Sequence, residues 1–195
     1  MRATPASPGM VGASASSRMQ MTIPPVAALA LALALACLLI TAGVSKISRP
    51  SRAAAAIDAY ALFPAGAGRW LWLPVASLEI GIGIALLFPD SRALVAFLSA
   101  ALFAGYALLI ARVVWRGESD FDCGCSGGAA ELRPSYSLAV RNVVLACAAL
   151  ATLQARTRDL LPEDWLFAAA IALLLLSINA MVGALIARTQ WPTDD

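Results

Sequence analysis

Histidine is absent from the 195 residues. That removes the commonest haem and zinc ligand and the one side chain that titrates unperturbed near neutral pH, so proton chemistry falls to carboxylates and thiols. Charge is scarce as well: 13% of residues are Asp, Glu, Lys or Arg, against about 25% in soluble domains, too few to cover a water-facing surface. The net charge of +2 gives no nucleic-acid signal, and no nucleic-acid partner is expected. Cysteine occurs four times, and only Cys123 and Cys125 fall outside apolar runs, whereas Cys37 and Cys147 lie within them as inert packing residues. Without histidine or a second thiol pair in a loop, no metal site is expected.

Apolar residues fill the space left by these absences: they make up 61% of the chain, and the mean hydropathy is +0.79. They lie in blocks at residues 26–42, 70–88, 93–111, 135–153 and 165–187, each near the ~20 residues that cross ~30 Å of hydrocarbon as a helix. Trp70, Trp72, Trp115, Trp165 and Trp191 fall at or near block ends, where amphipathic rings favour the membrane interface. The expected fold is an all-α membrane protein, a bundle of four to five transmembrane helices, multi-pass in the cell membrane with the lipid bilayer as its first partner. A single domain is expected over residues 25–188, after a disordered leader at 1–24 with alternative starts at Met10, Met19 and Met21, and before a tail at 189–195. A lipoprotein signal ending at Cys37 is disfavoured by the placement of Leu35 before it.

The blocks also contain a few polar residues. Glu79 is the one acidic side chain inside a block, near mid-span. Ionised and alone it would be costly there, so it is expected to be protonated or paired, with Lys46, Arg141 and Asn179 as candidate partners. It could fasten helices, relay a proton, or bind a quinone or other ligand. Arg141 and Asn142 open the fourth block, and Arg141 must snorkel to the headgroups or meet a partner in the bundle. Pro74 and the glycines at 81 and 83 predict a kinked, closely packed second helix.

Connections are short except for two. Residues 89–92 make a tight hairpin. In the 44–69 loop, Ser51 is positioned to cap a short surface helix carrying Ile57, Tyr60 and Phe63. The 112–134 loop holds Cys123-Gly124-Cys125 flanked by Glu118, Asp120 and Asp122. Two cysteines one residue apart close a disulfide only through a sharp turn, which Gly124 permits. A ring that small is strained and easily reduced, which suits catalytic or regulatory thiols better than structural ones. The neighbouring carboxylates raise thiol pKa, which favours disulfide shuttling or partner docking over fast catalysis. Incidental loop thiols are the bland alternative.

In order and spacing these residues resemble the MauE family of methylamine utilisation membrane proteins and, more distantly, the DoxX-like membrane proteins. Gly43-Val44-Ser45-Lys46 looks like the Gly-x-x-Lys signature closing the family's first helix, and Tyr60 to Pro64 like its Tyr-x-Leu-x-Pro segment. Pro74 with Glu79 and Gly83, the Asp122-Cys123-Gly124-Cys125 loop, and Arg141-Asn142 are similar to the patterns that follow, with Ser126 standing where the family commonly has Phe. The resemblance covers about residues 26–155 and implies an accessory role: processing, transport or maturation of a disulfide-rich exported subunit, methylamine dehydrogenase's small subunit in the family, beside a thioredoxin-like protein. Cys123 and Cys125 would carry the chemistry.

Two alternatives stay open: a quinone-coupled thiol oxidoreductase, an enzyme proper with quinone as its only possible cofactor, and a scaffold or transporter component with incidental cysteines. Five spans put Lys46, Arg49, Arg52, Arg69, Arg112, Arg116, Arg133 and Arg188 on the side of the cysteine loop, eight basic residues against five opposite. That balance leans towards a cytoplasmic loop, whereas disulfide work on an exported subunit wants it outside. The orientation is left open.

Overall fold

A computed structural model describes residues 23–88, 92–118, 121, 123, 132–154 and 161–190. Among these the regular structure is helical throughout. The chain runs α1 (Pro25–Ser48), α2 (Pro50–Ala59), α3 (Gly68–Ala85), α4 (Arg92–Arg116), α5 (Tyr136–Ala151), a 3-10 turn (Thr152–Gln154) and α6 (Pro162–Gln190). The expected all-helical bundle is found. α1, α4 and α6 are long and apolar enough to cross a membrane by length and composition, and α5 is a shorter apolar helix.

The sequence accounts for these helices locally. α1 is mostly Ala and Leu as far as Leu39, both strong helix formers, and starts with Pro25 at its first position, where a missing N–H costs nothing. Hydroxyls within spans satisfy themselves on their own helix, as Thr41 does on the Cys37 carbonyl at 2.7 Å and Ser99 on the Val95 carbonyl at 2.8 Å; lipid offers no other partner. α5 is capped by Ser135, whose hydroxyl accepts from the Leu138 N–H. The short helix is real, but Ser51 is not its cap: α2 starts one residue earlier with Pro50 at its first position, without a side-chain cap, and ends at Ala59.

Packing pairs α3 with α1 and α4 with α5, while α6 lies mainly along α1. Glycine brings α1 and α3 together. A Cβ at Gly43 would stand 2.7 Å from the Ala76 carbonyl oxygen, and one at Gly83 would stand 3.0 Å from that of Ala36. Gly81 has no such neighbour, so the close packing expected of that run belongs to Gly83. The start of α3 is seated on α2, where Gly68 passes against the Ala54 carbonyl and donates its N–H to Asp58 Oδ1 at 2.8 Å. α6 buries only Ala168, Ala172 and Ile186 and presents most of its apolar surface outward, as a lipid-facing helix must.

Two boundaries move. α1 runs through Lys46 to Ser48, well past the apolar block ending at residue 42, and α6 runs through Gln190 into the segment read as a tail. Residues 1–22, the 89–91 hairpin, Asp120, Asp122 and Cys125 lie outside the described residues.

Candidate functional site

The close α1–α3 seam places two charged residues at one level. The helices run antiparallel, and side chains on a helix lean toward its N-terminus. Lys46 therefore reaches back along α1 while Glu79 reaches back along α3, and they meet. The Lys46 ammonium donates to both Glu79 oxygens at 2.8 Å each. Lys46 is 8% exposed and Glu79 1%. Tyr106 of α4 closes the cluster: its hydroxyl donates to Glu79 Oε1, and its ring lies 5.8 Å from the ammonium. Of the two possibilities read for Glu79, the geometry is that of a paired carboxylate, with Lys46 as the partner rather than Arg141 or Asn179.

Arg141 and Asn142 are not part of this cluster. Arg141 Nε donates to Asn179 Oδ1 of α6 at 2.8 Å, and Asn142 Nδ2 turns back to the Leu138 carbonyl of its own helix at 2.8 Å. The polar residues thus form two separate groups. Pairing also removes Lys46 from the topology argument: one of the eight basic residues on the cysteine-loop side is a buried helix residue, leaving seven against five.

Cys123 sits above the ion pair, and its setting differs from the exposed Gly-flanked loop expected of it. It is 2% exposed, packed among Tyr60, Ile110, Leu132 and Leu138. Its N–H donates to the Leu132 carbonyl at 2.8 Å, tying the outgoing limb of the loop to the returning one, and its carbonyl accepts from the Tyr60 hydroxyl at 3.3 Å. Phe121 stacks edge-on against Tyr60 with centroids 5.2 Å apart. On the returning limb, Arg133 exchanges two backbone hydrogen bonds with the Gln190 amide, both 2.9 Å, which clasps the end of α6 to the loop. The burial has a physical reason: Tyr60 at the end of α2 and the ends of α4, α5 and α6 converge over this residue, and none of those contacts is local in sequence.

A cavity of about 200 Å³ joins the two features, with Lys46, Tyr60, Tyr106 and Cys123 in a wall otherwise almost wholly apolar. Cys37 and Cys147 stay away from it, exposed on the outer faces of α1 and α5 rather than packed inside. Tyr106 escaped the sequence reading. Its signal was a lone phenol in mid-span, one of only three tyrosines in the chain, two of which meet at this site.

The arrangement defines a class: a multi-pass helical membrane protein in which a buried loop cysteine and a charge pair line one cavity of the bundle. The family model described as Methylamine utilisation protein MauE matches residues 24–155, and the chain belongs to that family. Similar proteins include the Methylamine utilization protein MauE of Methylophilus methylotrophus, 35% identical over 105 residues, or 52% of this chain and 53% of that one. Those of Paracoccus denitrificans and Paracoccus versutus are 29% identical over 129 residues and 30% over 162, covering 66% and 78% of this chain and 69% and 85% of theirs. The match to the Methylophilus protein thus spans about half of its length. No solved structure matches the chain.

Proposed function

We propose that this protein is an accessory factor of the cell membrane in a methylamine-utilisation pathway, and that it exchanges disulfides with an exported, disulfide-containing partner through Cys123 and Cys125, beside a thioredoxin-like protein. The observation that carries the reading is the seating of Cys123. A loop with incidental cysteines gains nothing from holding one of them by both backbone groups in the apolar end of the bundle, on a cavity that a buried ion-paired lysine also lines.

Burial divides the labour between the thiols. A sulfur as enclosed as that of Cys123 cannot meet a folded partner directly, so Cys125 makes the intermolecular bond and Cys123 resolves it. In the reducing direction the Cys125 thiolate attacks a partner disulfide, forming a mixed disulfide and releasing one partner thiolate. Cys123 then attacks Cys125, closing the Cys123–Cys125 bond and releasing the second partner thiolate. Two electrons pass to the partner, and the reverse sequence oxidises it.

The test is the partner's thiol state in cells lacking this chain and complemented with variants. Cys123→Ser and Cys125→Ser should each leave the partner's cysteines mispaired or reduced, as read by alkylation mass shift, while the variant protein stays in the membrane at normal abundance. Normal pairing with either variant overturns the reading.

A further inference from the structure

The cavity under Cys123 has a chemistry of its own. Its wall is almost wholly apolar, and Lys46, with Tyr60, Tyr106 and Cys123, lines it. An ammonium has three N–H donors, and among the described residues Lys46 spends two, both on Glu79. One donor is therefore left on a side chain that lines the cavity and is more than nine-tenths buried, where an unmade hydrogen bond is costly.

Charge decides what it can take. Glu79 already balances Lys46, so an anion would compete with a carboxylate seated 2.8 Å away, and a cation would face the ammonium. A neutral molecule with an acceptor oxygen meets neither penalty. Size and shape narrow it further: a dry apolar cavity of about 150 Å³ takes benzene, so about 200 Å³ takes a six-membered ring with small substituents. Tyr60, Phe63 and Tyr106 put aromatic rings in its lining. We propose that this cavity binds the head ring of a membrane quinone, with one ring carbonyl accepting the third Lys46 N–H.

Binding does not itself depend on the thiol reading. Should both hold, the site supplies the pair with an electron acceptor: two thiols lose two electrons and two protons as the disulfide forms, and the ring gains them as hydroquinone.

The test uses the full chain in lipid nanodiscs, labelled with a photoreactive short-chain azidoquinone and competed with decylubiquinone. Labelling should saturate, be displaced by the competitor, and map to peptides carrying Tyr60, Phe63 or Tyr106. Val75→Phe fills the cavity while leaving both members of the ion pair in the chain and should weaken binding at least tenfold, as should Lys46→Met. Cys147→Ser, at an exposed residue away from the cavity, should bind within twofold of the parent chain, and labelling is read with no thiol partner present, which separates this site from the thiol chemistry. Labelling that is not displaced, equal affinity in Val75→Phe, or equal competition by decylbenzene, which lacks the carbonyls, overturns the proposal.

Discussion

Among the described residues, Lys46 and Arg141 carry positive charge into this bundle, and the fold treats them differently. Lys46 is held by a carboxylate and enclosed by three helices, with glycine at the seam. Arg141 has a neutral carboxamide on α6 and lines a wider groove of about 420 Å³ between α1, α5 and α6. The Lys46 charge is thus held by a buried counterion at a tight helix seam, whereas the Arg141 contact with Asn179 lies along a wider groove. The first arrangement is far more sensitive to change, and it lies beneath the cysteine loop.

The sharpest way to break the contrast is to orphan one member of the buried pair. Lys46→Met or Glu79→Leu alone should lower stability by about 3–5 kcal/mol, because the remaining charge loses its partner in an apolar site. The double variant should recover most of that loss in denaturant titrations of the detergent-solubilised protein. Glu79→Gln keeps shape but removes the counter-charge, so it should behave like the single variants, contrary to what a neutral hydrogen-bonded carboxyl would predict.

Next in size is the seam. Gly43→Ala puts a Cβ 2.7 Å from the Ala76 carbonyl oxygen and 2.6 Å from Ile80, and should cost about 1–3 kcal/mol, in the range of other overpacked cores. Gly81→Ala, with open space around it, should cost nothing measurable in the same assay. Equal effects at the two positions would show that the α1–α3 approach is looser than drawn.

The smallest effect belongs to the other polar group. Asn179→Leu should cost about 0.6 kcal/mol, the average for a side-chain hydrogen bond between membrane helices, and should leave both the α1–α3 seam and the cysteine loop unchanged.

Much of this was legible in the residues, and the gaps have physical causes. Each of the five apolar runs holds a helix, and three of these helices, α1, α4 and α6, are long and apolar enough to cross a membrane among the described residues; an acidic residue within a run marked Glu79 as paired or protonated. Hydropathy alone ends the first run at residue 42, because Ser45 and Lys46 are polar; the helix runs on to Ser48 because Glu79, named among the candidate partners and 33 positions away, takes the Lys46 charge. The burial of Cys123 was missed because glycine-rich, acidic surroundings read as solvated, whereas its enclosure comes from Tyr60, 63 positions back, and from helix ends that only the fold assembles. Tyr106 carries no charge and sits in an apolar helix, so hydropathy passes over it.

The central claim is that a buried Cys123 resolves bonds that Cys125 makes. The most direct measurement is a non-reducing gel of membranes from cells expressing each single cysteine variant, with adducts identified by mass spectrometry. Cys123→Ser should accumulate a covalent adduct with the partner through Cys125, and Cys125→Ser, Cys37→Ser and Cys147→Ser should accumulate none. Adducts of equal yield from Cys123→Ser and Cys125→Ser, or none from either, would contradict it.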